Sequence, residues 1–156
     1  MKGTTFLACT LVLAVAACPL AHPLASTRCY PTSRYVALAG GLVRDALTEL
    51  VWQQQASSTT MIWADAKTYC SSLGFRLPTI KELASLVDLT VTSGATINQT
   101  AFPGAPATTF WTSSPYAGSS GSVWIVDFSY GYSSLFNGGD SGYGGVGDDH
   151  SVRCVR

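Results

Sequence analysis

Reactive side chains are sparse in this 156-residue chain, and their spacing narrows the chemistry they can do. Cys9, Cys18, Cys29, Cys70 and Cys154 supply the thiols, and His22 and His150 the only imidazoles. A nucleophilic cysteine needs a base within hydrogen-bond reach. His150 is the one histidine outside the N-terminal segment, so a catalytic cysteine is the less favoured reading. No GxSxG, HExxH or CxxC motif occurs, no catalytic residue is assigned, and the chain is not expected to be an enzyme. Asn137, Asp140, Asp148 and Asp149 carry hard oxygen donors of the kind Ca²⁺ takes. The stretch "GGVGDDHSV" comes close to a calcium-binding nonapeptide, but Ser151 stands where a large apolar residue is required, and a lone copy builds no β-roll. No cofactor and no metal ligand are therefore expected, with Ca²⁺ the one alternative.

The most unusual segment is Tyr130 to His150, "YGYSSLFNGGDSGYGGVGDDH". It uses the alphabet of antibody paratopes: tyrosine gives amphipathic contact area at low entropic cost, and small polar residues adapt around it. Tyr130, Tyr132, Asn137, Asp140, Tyr143, Asp148 and Asp149 are the candidate ligand contacts. Tyr130 and Tyr132, either side of Gly131, are expected to share one strand face. Tyr143 lies among glycines with no strand pattern to hide it. The competing reading is a solvated connector.

Those candidates need an exported, folded scaffold. The chain opens with Lys2 and an apolar run from Thr5 to Ala17, which reads as a signal peptide of residues 1–17. The run is too short for a spanning helix. It ends Val15-Ala16-Ala17-Cys18, resembling a bacterial lipobox in which Cys18 would be lipidated; ordinary signal-peptidase cleavage is the alternative. Residues 18–34 read as a tether. Export to a bacterial cell envelope follows, as a lipoprotein or as a periplasmic or secreted protein. With Lys2 removed, eight Lys or Arg face nine Asp or Glu, and the cations form no run. Nucleic acid and anionic membrane surfaces, which need clustered cations, are poor partners. The expected partner is a protein or a glycan, with the membrane met only through a lipid.

Apolar residues make up 47% of the chain, enough to bury a core. Two strand candidates flank Asp45 to Glu49, with Gly40-Gly41 as a turn. Trp63, Ala66, Cys70 and Leu73 fall on one face of a helix predicted over 62–73, ended by Gly74 and poorly capped at Ile62. In "FRLPTIKELASLVD" Pro78 closes the preceding segment, and Thr79 with Glu82 forms a capping box for a helix over 80–88. Ile80, Leu83, Leu86 and Val87 make its apolar face, and Arg76 is expected to anchor the turn between the helices. After a long loop over 89–108, "TTFWTSSPY", "SVWIVDFSYG", "YSSLF" and "HSVRCVR" read as strands of a small antiparallel sheet. The element order argues α+β. Cys70 sits on the core face of the first helix and Cys154 shares a strand face with Val152, so in an exported protein the two are expected to bridge.

Taken together, "GLVRDALTELVWQQ", "IWADAKTYC", "FRLPTIKELASLVD", "FP", "FWTSS", "VWIVDFSYG" and "VRCVR" resemble, in order and spacing, the Lcl C-terminal domain family over about residues 35–156. The resemblance implies a C-type-lectin-like α+β fold, with two helices flanking a small twisted antiparallel sheet and the Tyr- and Gly-rich segment on the ligand-facing loops. It implies no established catalysis. There is no Gly-X-Y collagen segment and no basic cluster for sulfated glycans. The reading reached is an exported, lipid-anchored binding or adhesion module. A structural envelope protein, or a catalytic member of the formylglycine-generating-enzyme-like superfold, is the alternative.

Overall fold

A computed structural model of the chain describes residues 33–118, 121–133, 143–145 and 147–156. Seven strands and two helices are present among them: β1 Tyr35–Leu38, β2 Leu42–Asp45, β3 Val51–Gln53, α1 Trp63–Ser72, α2 Ile80–Ala84, β4 Thr109–Pro115, β5 Ser122–Asp127, β6 Tyr132–Ser133 and β7 Tyr143–Gly145. They form two antiparallel sheets rather than the single small sheet expected. One runs β1-β2-β3; in the other β5 pairs with β4, β6 and β7. The protein is thus a small mixed α/β fold.

Local chemistry explains most of the elements. Gly40 and Gly41 take φ of 77° and 69° in the turn between β1 and β2, a conformation costly for any residue with a Cβ. The second connection, from β2 to β3, is tightened by Asp45, whose carboxylate accepts the Leu47 N–H at 3.0 Å. Two strands flanking Asp45 to Glu49 were expected in this stretch and three form: Val51–Gln53 is the second of them, and the Gly40-Gly41 turn divides the first into β1 and β2. Asp45 is fully buried. It is paired with Arg34 at 2.7 Å, and Arg34 also donates to the Ser85 carbonyl at 2.8 Å. Burial alone would raise the Asp45 carboxyl, but the Arg34 bond and the Leu47 N–H outweigh it and hold it below its usual range. Arg34 falls within the residues read as a tether, yet its side chain ties the first hairpin to the end of α2.

Helix α1 has no side-chain cap at Ile62. It ends in a Schellman arrangement: Phe75 N–H bonds the Cys70 carbonyl at 2.9 Å and Gly74 N–H the Ser71 carbonyl at 3.0 Å, with Gly74 at φ 72°. Ala66 and Cys70 are buried as expected. Leu73 is not: it is 46% exposed, because the chain has already left helical geometry there and Leu73 is the C-cap. The capping box on α2 is present as read, with Thr79 N–H on Glu82 Oε2 at 2.7 Å and Glu82 N–H on Thr79 Oγ1 at 3.3 Å. Arg76 adds two bonds of 2.8 Å to the same carboxylate. The helix stops at Ala84, short of the expected Asp88. Leu86 and Val87 bond back only three residues, to Leu83 and Ala84, so that Asp88 N–H reaches the Thr96 carbonyl.

The C-terminal segment was expected as one ordinary strand. It makes isolated bridges on several sides instead. Val51 and Arg156 exchange both backbone bonds, as do Arg76 and Val155, and Trp111 N–H bonds the Ser151 carbonyl. Residues 151–155 are all buried. Val155 joins the core of Val43, Trp52, Leu83, Phe102, Phe110 and Phe128. Val152 and Cys154 join the second core, with Ala66, Leu77, Trp111 and Ile125. Cys154 is bonded to Cys70, Cα–Cα 5.5 Å, across 84 residues of sequence. On the chain-entropy account that closure stabilises by roughly 4–5 kcal/mol.

Glu82 gives a pH signature. The Arg76 bond, aided by Thr79, holds its carboxyl down at about 2, against an ordinary 4.5. A depressed folded value contributes stability that is complete above the unfolded pKa and is lost as pH falls through the folded one. The urea midpoint should therefore decline as pH drops from about 4.5 toward about 2, and Glu82→Gln should lower the neutral-pH midpoint and flatten that decline. Parallel profiles for the two proteins would remove the pair from the acid response.

Candidate functional site

The site is built at the end of β5. Asp127 closes that strand, and its carboxylate takes the Ser129 N–H at 2.7 Å while its carbonyl takes the Gly131 N–H at 3.0 Å. Phe128 drives into the core, edge-on to Phe110 at 5.3 Å. Its carbonyl accepts both the backbone N–H and the hydroxyl of Thr96, at 2.8 and 2.9 Å. The turn is thus fixed from below, and it projects Tyr130 and Tyr132 outward. They are 70% and 56% exposed, and their rings stack at 6.2 Å with 23° between planes. Gly131 between them has φ 75°, and a Cβ there would lie 2.6 Å from Leu89 Cδ2 and 3.2 Å from Val87 Cγ1. Leu89 is itself 74% exposed. Two tyrosines and a leucine therefore form an exposed aromatic and apolar knuckle on a turn held by the core.

Beside it lies a groove of about 520 Å³ whose wall includes Arg34, Tyr35, Val87, Asp88, Leu89 and Asn98. Asp88 accepts the Thr90 hydroxyl at 2.6 Å and the Thr90 N–H at 3.0 Å; these bonds, hydroxyl first, hold its carboxyl below the usual range. Arg34 is occupied by Asp45, a bond that raises its pKa further. Burial pushes the Tyr35 hydroxyl up to about 12, so it is neutral. The groove thus presents the ionised Asp88 carboxylate, the Arg34 guanidinium already paired with Asp45, neutral polar groups and apolar wall, suited to a polar ligand.

The remaining candidates do not gather here. Tyr143 is placed in β7, opposite Trp124 of β5, which corrects the expectation that no strand could include it. Asp148 and Asp149 are exposed and lie between β7 and His150; the next residue, Ser151, bridges Phe110 of β4. Asn137 and Asp140 lie outside the described residues. No group of three or more His, Cys, Asp or Glu side chains that could hold a metal ion comes together among the described residues. Cys70 and Cys154 are spent in the disulfide. His150 has Nδ1 2.6 Å from Thr109 Oγ1, and its ring stands edge-on to Trp111 at 4.3 Å. Burial lowers its pKa, with Asp148 and Asp149 opposing.

The Lcl C-terminal domain model matches residues 41–156. The chain belongs to the Lcl C-terminal domain family. No curated protein and no solved structure matches it. The matched region of this Lcl C-terminal domain contains the Tyr130–Tyr132 turn, Leu89 and both bonded cysteines, whereas β1 and Arg34 precede it. Leu89, Asp88 and Arg34 were not singled out from sequence. The usable signal was an isolated leucine in the polar stretch "VDLTVTSG".

Gly131 is where the packing of the knuckle can be tested through stability. Gly131→Ala places a Cβ at positive φ, a cost of about 1–2 kcal/mol, and displaces Leu89. Thermal unfolding should show that loss, and Leu89→Ala in the same chain should return only the contact part of it. A Gly131→Ala protein as stable as wild type would contradict the described turn.

Proposed function

We propose that this Lcl C-terminal domain is a non-catalytic binding module with a C-type-lectin-like fold. It is exported, anchored to the bacterial envelope through Cys18, and holds a protein or glycan ligand on the Tyr130–Tyr132–Leu89 face. The observation that carries the reading is the stacked, exposed tyrosine pair. Large aromatic side chains left in water on a turn that is otherwise tied to the core serve recognition better than folding, and exposed aromatic patches mark interaction sites. The adjoining groove supports it by adding polar contacts around the apolar knuckle, the arrangement common to small-ligand and peptide sites. Disulfide bonding of Cys70 and Cys154 supports a structural rather than nucleophilic role for both.

A combined glycan and protein array with the purified chain tests this directly. Tyr130→Ala with Tyr132→Ala should weaken the strongest interaction by at least about 1 kcal/mol, roughly fivefold, and leave the melting temperature nearly unchanged. Fatty-acid labelling in the same host should report the anchor, and Cys18→Ala should abolish it. Binding that survives the double substitution, or a melting temperature lowered by several degrees, would return the tyrosines to a structural role. A wild-type chain that takes up no label would remove the anchor.

A further inference from the structure

Among the described residues, the first sheet has one covered edge and one open edge. β3 is closed by the C-terminal segment, through Val51 with Arg156 and Gln53 with Cys154. Among the described residues β1 pairs with β2 alone, Tyr35 opposite Asp45 through Leu38 opposite Leu42. Ala46 N–H bonds the Arg34 carbonyl, which sets the alternation along the ladder. Val36 and Leu38 bond inward to β2, and the N–H and C=O groups of Tyr35 and Ala37 point away from it. Of these outward groups, the Tyr35 carbonyl takes the Ser33 hydroxyl at 2.9 Å. The edge is short, at four residues, which is one device that keeps strands apart, but it carries no side-chain device. Its sequence, Tyr-Val-Ala-Leu, contains no charge and no proline. Val36 and Leu38 are 38% and 39% exposed.

We propose that β1 pairs with β1 of a second copy of this chain, antiparallel about a two-fold axis through Val36. Tyr35 then faces Ala37 of the second copy as a hydrogen-bonded pair, and Ala37 faces its Tyr35. The two Val36 side chains meet at the axis as a close, non-hydrogen-bonded β-branched pair. The occupant is a second copy because this strand is complementary to itself. It is uncharged in a chain of zero formal net charge, so nothing in it repels its own image. The chain ahead of the described residues also enters the domain directly at β1. Copies anchored at Cys18 would share one membrane surface, which raises their effective concentration. That support rests on the anchoring reading; the pairing itself does not. Four residues a side bury far less than a standard interface, so the dimer is a weak one, with Kd of about 0.1–1 mM.

Sedimentation equilibrium of the full, unlipidated chain, from about ten times below that Kd range to its upper end, tests the pairing. The average mass should rise toward that of a dimer. Ala37→Pro removes only an outward N–H and spares the ladder to β2, so it should hold the chain at monomer mass with an unchanged circular dichroism spectrum. Val36→Lys keeps every backbone donor and places a charge at the axis; it should have the same effect should the proline variant fold poorly. A wild-type chain monomeric over the whole range, or a dimer that persists in a folded variant of either kind, would overturn the proposal.

Discussion

Everything in this domain depends on where the last six residues go. Between Ser151 and Arg156 the backbone bonds β3, the Arg76–Leu77 turn and β4, three segments far apart in sequence. Each bond brings a different part of the chain into register. Trp52 and Arg76 both bridge Val155 from opposite sides, which places the first sheet next to the turn between the helices. Phe110 bridges Ser151 in parallel, which places the second sheet on the other side. The Cys70–Cys154 bond then fastens α1 over the same segment. A segment paired on both edges and covered on both faces must satisfy its polar groups internally. This one largely does, because its neighbours pair with almost every residue: the Val152 N–H donates to the Ser57 hydroxyl and the Cys154 N–H to Gln53 Oε1.

Arg153 shows how firmly the arrangement holds. It is 1% exposed, with its guanidinium 4.6 Å from the Phe102 ring centre and 5.9 Å from that of Phe110. Nη1 donates to the carbonyls of Gln53 and Gln54, while Nε and Nη2 have no hydrogen-bond partner among the described residues. Burial brings its pKa down to about 10, so it stays charged at neutral pH. Ring faces and carbonyls take the place of a carboxylate. The cation thereby joins the end of β3 to the aromatic core that also seats Phe128, and Phe128 is what fixes the Tyr130–Tyr132 turn. The candidate face and the buried C-terminal segment are in this sense one mechanical unit: the tyrosines are held out because the residues before and beneath them are held in.

The legible parts of the fold were those set by local chemistry. Thr79 with Glu82, Gly74 and the Gly40-Gly41 turn each satisfy a requirement of their own few residues, and the cysteine pair followed from two inward faces. The parts that were not legible depend on distant neighbours. Ser151 and Arg153 look like surface residues, and only the convergence of three segments buries them. The last turn of α2 tightens because Thr96, far along the loop, offers its carbonyl to Asp88. Tyr143–Gly145 carries too little strand propensity to be read as β7, and it is β5 that supplies the pairing. The candidate site divided along the same line. Tyr130 and Tyr132 stood out by composition; they were expected on one strand face, but Tyr130 stands in the turn and only Tyr132 belongs to β6. Leu89 joins them only through the contact at Gly131, which spans more than forty positions of sequence.

Native-state hydrogen exchange on the oxidised chain tests the central claim most directly. With the C-terminal segment as the common seam, the amides of Val51, Gln53, Arg76, Trp111 and Val155 should exchange together, at the rate set by global unfolding. Exchange at Arg76 and Val155 that runs well ahead of the β4–β5 amides, while the second sheet stays protected, would contradict it.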